Sequence, residues 1–147
     1  MIDHNSPEEV CKRLNQEDPI VMYLIVRESL NMSIGKTAAQ VGHAVMMLHL
    51  QYQELDNYAF IEQKDLPPEK QKILKLYWQW LGDSFRKVVL RASEPEFKKI
   101  QEELKNQIVV VTDNGLTELA PQTTTVIGCF PMKKSERPKI IKRLQVL

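Results

Sequence analysis

The sequence feature that most constrains the fold is an unbroken apolar run at residues 20–26. No charged side chain interrupts the run, and valine, isoleucine and tyrosine in it favour extended backbone. Such a continuous run is typical of a strand that is buried on both faces of a sheet. Because helices usually cover both faces of such a sheet, the run predicts an α/β domain.

The rest of the chain alternates predicted strands with predicted helices. Apolar, β-rich segments predict three further strands at residues 87–91, 107–112 and 123–129, and residues 145–147 can pair briefly at an edge. Capping signals and apolar periodicity predict one helix from Asn31 or Ser33 to about Asp56 and a second from about residues 65–68 to Gly82. A third helix follows Ser93, and Ser135 caps a last basic helix. The alternation predicts a mixed sheet of about four strands, flanked by helices on both faces.

A single domain is the natural expectation for 147 residues. We place that domain at residues 19–147, after an N-terminal extension at residues 1–18 in which Ser6 and Glu9 predict the start of a short helix. No apolar run approaches the roughly 20 residues of a membrane span, so we expect no membrane partner. The extension is polar and does not resemble a secretory signal, which predicts a cytoplasmic location.

Apolar side chains recur in steps of four and three from residue 34 to residue 55 and predict one face of an amphipathic helix. Those side chains are Ile34, Ala38, Val41, Val45, Leu48, Tyr52 and Leu55. Asn31 or Ser33 can cap the start of this helix. Lys36, Gln40 and His43 fall on the opposite face among small residues.

The lysine in the first turn of this helix is unexpected, since it faces the positive end of the helix dipole. Together with spare backbone N–H groups, Lys36 predicts a site for a phosphate or a carboxylate. The alternative is a solvated lysine on an exposed face. His43 also leaves two interpretations open, a role in the site or packing on a backbone carbonyl.

Polar loops follow two of the predicted strands, at residues 27–36 and 113–122. Asp113 begins the second loop, and Asn114 with Gly115 predicts a turn there, because both tolerate positive φ. Ligands tend to bind at the carboxyl ends of strands in such sheets. If the two strands are parallel neighbours, Lys36 and Asp113 lie close together and each favours the charged form of the other.

The net charge of +1 hides an uneven distribution. Residues 132–147 carry six basic side chains and one acid, a local charge of +5, so the remaining residues sum to −4. The six basic residues are Lys133, Lys134, Arg137, Lys139, Lys142 and Arg143. The cluster predicts either an electrostatic footprint for nucleic acid or a solvated helix face.

Several kinds of site are absent from the sequence. It has no phosphate-binding loop of P-loop spacing and no dinucleotide fingerprint, and its three histidines are not spaced as metal ligands. No serine lies in a nucleophile elbow. Cys11 and Cys129 make no disulfide framework, and we expect both to be free buried thiols. We therefore predict neither a metal nor another cofactor.

Three blocks of residues resemble one known family. The first block is complete and consists of Met32, Gly35, Lys36, Ala38, Ala39, Gln40, His43 and Ala44. The middle block is approximate, at Trp78, Gly82, Lys87, Val88 and Val89. The third block is partial and matches at Asp113, Gly115, Thr117, Pro121, Thr125, Val126 and Gly128. Over about residues 21–147 the chain resembles the archaeal and eukaryotic type of peptidyl-tRNA hydrolase.

The resemblance implies a concrete activity, hydrolysis of the ester between a peptide and the 3′ ribose of tRNA without a metal. It implies a catalytic set of Lys36, Gln40, Asp113, Thr117 and Thr125, and it adds His43 and Gly115 as substrate-binding residues. The basic residues Lys133, Lys134, Lys139, Lys142 and Arg143 would then contact tRNA phosphates. The family is often dimeric, so the resemblance also allows a homodimer.

Three residues depart from the pattern of that family. Leu116 replaces an arginine, Glu118 replaces a glutamine and Gln122 replaces a glycine of a turn. The first two changes shift the site by about two charges toward negative, which disfavours an RNA phosphate. The alternatives to a peptidyl-tRNA hydrolase are therefore a divergent, non-catalytic RNA- or protein-binding relative and a hydrolase of another ester. A module that binds small anions at Lys36 is a further alternative.

Overall fold

The structure, a computed structural model, describes residues 6–7, 18–116 and 118–147. These residues form an α/β fold with helices on both faces of a mixed sheet, as predicted. The strands are β1 (Ile20–Arg27), β2 (Arg86–Ala92), β3 (Ile108–Asp113), β4 (Thr123–Cys129), β5 (Met132–Lys133) and β6 (Gln145–Val146). The helices are α1 (Ile34–Asp56), α2 (Pro68–Gly82), α3 (Glu94–Glu103) and α4 (Lys139–Lys142).

The sheet is larger than the four predicted strands, because two strands of two residues each extend it to six within the described residues. Its order is β3-β4-β1-β2-β6, and β5 pairs with β1. Strands β1 and β2 are parallel, whereas β4 is antiparallel to both β1 and β3. The predicted edge pairing at residues 145–147 is confirmed, since β6 pairs with β2.

The central strand β1 supplies side chains to two separate cores. Met22, Leu24 and Val26 pack with α1 and α2 on one face of the sheet. Val21, Tyr23 and Ile25 pack with α3 and Ile141 of α4 on the other face. All six side chains are buried. This alternation is the two-residue period of a strand, applied to a run that is apolar throughout.

The predicted inward face of α1 is partly wrong. Ile34 is 91% exposed and Ala38 is exposed, although both were assigned to the buried stripe. The buried side chains are instead spaced four apart, at Gln40, Ala44, Leu48 and Tyr52. Gln40 therefore lies on the inward face and not on the opposite one. The periodicity misled because a polar residue occupies an inward position near the start of the helix.

The predicted basic helix near the C-terminus is also wrong. Ser135 does not cap a long helix, because Lys134–Glu136 is a short 3₁₀ turn and α4 begins only at Lys139. Pro138 precedes α4 and has an extended backbone, with a ψ of 152°. The ring of Pro138 disfavours helical backbone at the residue before it, and Arg137 is extended, with a ψ of 138°. The predicted helix therefore breaks into short pieces.

Of the N-terminal extension, the structure describes Ser6, Pro7 and Asp18. The short helix predicted there and the thiol of Cys11 therefore lie outside the described residues. Cys129 is a buried free thiol, as predicted, and burial raises its pKa to about 12. None of the helices described is long and apolar enough to cross a membrane.

A substitution in α1 tests the inward face. Leu48 is fully buried, whereas Leu50, two residues further along the same helix, is 51% exposed. Leu48→Ala should lower the free energy of unfolding by about 3 kcal/mol, because it leaves a cavity in the core. Leu50→Ala should change it by less than about 0.5 kcal/mol. Urea unfolding followed by circular dichroism measures both, and equal effects would contradict this assignment of the face.

Candidate active site

The two polar loops meet at one edge of the sheet, where Lys36 contacts Asp113. The ammonium nitrogen Nζ of Lys36 lies 2.5 Å from Oδ1 of Asp113. The predicted proximity is confirmed, but its premise is wrong, because β1 and β3 are not neighbours. Strand β4 lies between them and runs antiparallel to both, so β1 and β3 end at the same edge.

The ion pair is largely shielded from water, with 12% of the Lys36 side chain and 7% of the Asp113 side chain exposed. Helix α1 places Lys36 there, because position 36 continues the four-residue spacing of the buried side chains at positions 40, 44, 48 and 52. A charge in such a place needs a partner of opposite sign. Each member of the pair supplies that partner for the other.

Gln40 and Thr125 extend the contact into the core. Gln40 donates from Nε2 to Oδ1 of Asp113 at 3.3 Å, and its Oε1 accepts from the Thr125 hydroxyl at 2.5 Å. Gln40 is 3% exposed and Thr125 is fully buried. Because the hydroxyl occupies the carbonyl end of the amide, Thr125 sets the orientation in which Gln40 donates to Asp113.

Backbone groups of the β3–β4 loop complete the surroundings of Asp113. Gly115 donates its N–H to Oδ2 at 2.8 Å, and Gln122 donates its N–H to the Asp113 carbonyl at 2.8 Å. Gly115 has a φ of +73°, and a Cβ atom there would lie 2.5 Å from the nitrogen of Pro121. The turn predicted at Gly115 therefore requires glycine.

These donors hold Asp113 in its charged form. The hydrogen bond from Lys36 lowers the pKa of the Asp113 carboxyl most, the Gly115 N–H and the charges of Lys36 and His43 lower it further, and burial opposes them. The net direction is downward from 3.8. The site therefore presents a fixed carboxylate beside a fixed ammonium group.

His43 lies on the exposed side of α1, and its charge acts on Asp113. Its ring makes no hydrogen bond to any residue that the structure describes. The described residues therefore offer no backbone carbonyl partner for the packing interpretation of His43. Its exposure leaves the ring accessible to a ligand.

The sequence did not predict the partner of Glu118. The carboxylate of Glu118 accepts a hydrogen bond from the Ser33 hydroxyl and another from the Ser33 N–H, the latter at 3.0 Å. Ser33 is the N-cap of α1 and accepts from the Lys36 N–H at 3.2 Å. The two bonds from Ser33 and the charge of Lys36 lower the pKa of Glu118. A carboxylate of the protein, Glu118, therefore lies at the start of α1, bound to its N-cap residue.

Arg27 was also missed, although a cation directly after an apolar strand is a readable signal. It donates to both carboxylate oxygens of Glu94 at 2.6 and 2.9 Å and to the Thr124 carbonyl at 3.1 Å. These bonds join the end of β1 to β4 and to the start of α3. Arg27 thereby fixes the edge of the sheet next to Thr125.

The remaining predicted residues do not gather at this cluster. Lys133 pairs with Ile20 at the first residue of β1, the opposite end of that strand from Arg27, about 23 Å away at about 3.3 Å per residue. Lys134 follows at the same end. Lys139 and Lys142 lie on α4. Arg143 borders a small cleft with Glu28 and Arg91, beside the ends of β1 and β2. Thr117 lies outside the described residues.

No group of three or more histidine, cysteine, aspartate or glutamate side chains in residues 18–116 and 118–147 is placed to hold a metal ion.

Comparison with known proteins places this geometry in context. The family model described as peptidyl-tRNA hydrolase PTH2 matches residues 20–147. The chain is 31% identical over 128 residues to a peptidyl-tRNA hydrolase of Methanopyrus kandleri, covering 84% of this chain and 95% of the relative. It is 31% identical over 130 residues to that of Sulfurisphaera tokodaii, covering 86% and 97%. The peptidyl-tRNA hydrolase of Thermoplasma acidophilum is 26% identical over 130 residues, with coverage of 86% and 97%.

The charge state of Asp113 can be tested directly. Lys36→Met should raise the pKa of the Asp113 carboxyl, because it removes the main cause of the lowering and leaves burial in place. The carboxyl carbon shift of Asp113, followed by NMR from pH 2 to 7, measures this pKa. Lys99→Met, which removes an exposed partner of Glu103, is the control and should leave it unchanged.

The same shift fixes the sign of the dependence of stability on pH. The pKa of Asp113 in the folded protein lies below its ordinary value. Ionised Asp113 therefore stabilises the fold above about pH 4, and this contribution disappears as the pH falls through the folded pKa. A pKa of Asp113 that is the same with and without Lys36 would contradict the ion pair.

Proposed function

Because the chain belongs to the peptidyl-tRNA hydrolase PTH2 family, we propose that it hydrolyses the ester between a peptide and tRNA at the cluster of Lys36, Gln40, Asp113 and Thr125. The observation that carries the proposal is the shielded contact between Lys36 and Asp113. Charged groups held in place and shielded from water act more strongly on a reacting ester than the same groups in solution.

In this reaction, water adds to the carbonyl carbon and the carbonyl oxygen takes up negative charge. The bond to the ribose oxygen then breaks, a proton from water passes to that oxygen, and the peptide leaves as a carboxylic acid that ionises. The groups needed are a donor for the oxyanion and an acceptor that orients the water. No nucleophile from the protein is required.

Lys36 is the donor in this scheme. Its ammonium group has three N–H bonds, and Asp113 takes one of them. The others are available to the carbonyl oxygen as its charge develops. Because Asp113 stays ionised, it holds the ammonium group in position before the substrate binds. This preorganisation is the main source of stabilisation in oxyanion sites.

Asp113 is the acceptor that orients the water. A carboxylate accepts about four hydrogen bonds. Lys36 and Gln40 use Oδ1, and Gly115 uses one position on Oδ2. The remaining position on Oδ2 can accept from the attacking water. The lowered pKa makes Asp113 a weak base, so we assign it positioning of the water and not full removal of its proton.

The substrate side of the cluster is formed by groups that remain accessible. His43 is exposed and near enough for its charge to act on Asp113, and Leu116 is 86% exposed on the β3–β4 loop. We assign contacts with the 3′ end of tRNA to His43 and to the backbone of Gly115. As a member of the catalytic set that the resemblance implies, Thr117 would donate a hydrogen bond from its hydroxyl to the ester or to the terminal adenosine.

The departures from the family pattern make the site more negative, which is less favourable for the hydrolysis of peptidyl-tRNA. The negative charge of Glu118 is engaged by Ser33 and by the start of α1, where a helix dipole stabilises an anion. The added charge therefore has hydrogen-bond donors of its own, and its interaction with Lys36 is attractive. Family membership supports a hydrolase over the non-catalytic relative, and Lys36, Gln40, Asp113 and Thr125 remain in contact.

Neither a metal nor another cofactor has a part in this scheme. We propose a cytoplasmic location, because translation there produces the proposed substrate, peptidyl-tRNA. A homodimer stays a prediction, which light scattering of the purified protein would test.

Turnover of labelled N-acetyl-aminoacyl-tRNA in EDTA tests the proposal. The wild-type protein should release the labelled amino acid. Lys36→Ala and Asp113→Ala should each lower kcat/KM by about 10²-fold or more, because each removes half of the preorganised pair. Lys99→Ala, in the exposed pair with Glu103, is the control and should stay within about twofold.

A folded wild-type protein that gives no turnover would overturn the hydrolase proposal. If it still bound tRNA with a strong dependence on salt, the alternative of a binding relative would take its place. Activity that survives loss of both Lys36 and Asp113 would instead place the reaction elsewhere in the molecule.

The basic residues near the C-terminus give a second test. We expect the triple variant with alanine at Lys139, Lys142 and Arg143 to have a higher KM than the wild type. The slope of log KM against log salt concentration should fall by about 0.7–0.9 for each tRNA phosphate that is no longer neutralised. The double variant with alanine at Lys133 and Lys134 should have a smaller effect, because both lie at the far end of β1. Equal salt dependence in both variants and the wild type would contradict a phosphate interface in this segment.

A further inference from the structure

Glu118 closes a ring of contacts around the reacting pair. Its carboxylate accepts from Ser33, and Ser33 caps the helix turn that carries Lys36. Lys36 contacts Asp113, whose other oxygen accepts from Gly115, three residues before Glu118 in the chain. The end of β3 therefore meets α1 through the bonds of Asp113 with Lys36 and Gln40, and the β3–β4 loop meets the start of α1 through the contact between Glu118 and Ser33.

We propose that Glu118 is a positioning residue for the hydrolysis, which fastens the β3–β4 loop to the first turn of α1 and so keeps Asp113 and Lys36 in register when substrate binds. The inference rests on the proposed function. Glu118 does not touch the reacting atoms in this assignment, and it acts through Ser33 and Gly115.

The other described hydrogen bonds of the loop cannot do this. Gly115 and Gln122 donate to Asp113, and the Thr123 hydroxyl donates to the Ala120 carbonyl, so these bonds lie within the loop and its own strands. Among the described residues, the bonds between Glu118 and Ser33 alone join residues 114–122 to the start of α1.

The chemistry of the contact suits a carboxylate. Two oxygens accept the two donors of Ser33, the hydroxyl and the N–H. The start of a helix attracts a negative charge, and the ammonium group of Lys36 adds to that attraction. A glutamine could keep both contacts, because its amide has one acceptor and one donor, and the Ser33 hydroxyl can reverse its role. An alanine can keep neither.

The test compares Glu118→Ala and Glu118→Gln with a matched control. Glu96 accepts from the Ser93 N–H at 3.0 Å at the start of α3, so it also bonds a helix N-cap, but within its own helix and away from the site. Glu118→Ala should lower kcat by about tenfold and change KM by less than about threefold, because misplaced groups weaken the transition state more than substrate binding. Glu118→Gln should restore kcat to within about threefold, and Glu96→Ala should stay within about twofold.

Ser33 supplies a double-mutant cycle. Ser33→Ala removes the hydroxyl, and the double variant with Glu118→Ala should show a smaller fall in kcat than the product of the two single effects, because both act through one contact. Effects that multiply would overturn the inference.

Other outcomes would also overturn it. An unchanged or raised kcat in Glu118→Ala would mean that the loop needs no fastening. A change in KM without a change in kcat would mean that Glu118 acts on tRNA binding through its charge and not on the position of the reacting groups. Equal falls in kcat for Glu118→Ala and Glu118→Gln would mean that the hydrogen bonds to Ser33, which an amide can keep, do not sustain the rate.

Amide hydrogen exchange without substrate separates this inference from the proposed function. The amides of Gly115 and Gln122 should exchange about tenfold faster in Glu118→Ala than in wild type or Glu96→Ala. Unchanged exchange would overturn the fastening even in an active enzyme. If the wild-type protein gives no turnover, the proposed function fails by itself, and the exchange rates still decide whether Glu118 holds the loop.

Discussion

The structure depends on the burial of β1 on both of its faces. Because all of its side chains from Val21 to Val26 are buried, the strand needs a helical layer on each side and a paired strand at each edge. Strand β4 provides one edge in antiparallel orientation and β2 provides the other in parallel. This arrangement also places the site. Because β4 is antiparallel to both of its neighbours, β1 and β3 run in the same direction, and their last residues lie at the same end of the sheet.

At that edge the protein holds two opposite charges away from water. Removing charges from water is unfavourable, and their attraction offsets this cost only when further hydrogen bonds satisfy both partners. Asp113 receives those bonds from Gln40 and Gly115. Thr125 satisfies the far end of Gln40, so the polar cluster continues into the sheet without leaving an unpaired buried side-chain atom among the described residues.

Much of the fold could be predicted from local patterns. The four longer strands, the start of α2 at paired prolines and the capping box of Ser93 and Glu96 are signals that lie within a few residues. The inward face of α1 could not be predicted, because a periodicity analysis treats Gln40 as a surface residue. Its burial depends on Asp113 and Thr125, which are more than 70 residues away in sequence.

The same distinction holds for the site. Proximity of Lys36 and Asp113 could be inferred from the loops that follow two strands, although the strand between them could not. From the sequence, Glu118 could be interpreted only as an added negative charge. No local signal indicates that Ser33 donates hydrogen bonds to its carboxylate. The basic C-terminal segment had the composition of a helix, but the extended backbone of Pro138 divides it.

The inward face of α1 joins the core and the site in one row of positions. Lys36 and Gln40 begin the row, and Ala44, Leu48 and Tyr52 continue it into the apolar layer. Well-packed apolar side chains in place of a buried ion pair often leave a protein equally stable or more so. Selection for a robust fold alone would therefore extend the apolar row to the first turn and erase the polar cluster. That two polar side chains persist there indicates a compromise between durability and chemistry within a single helix.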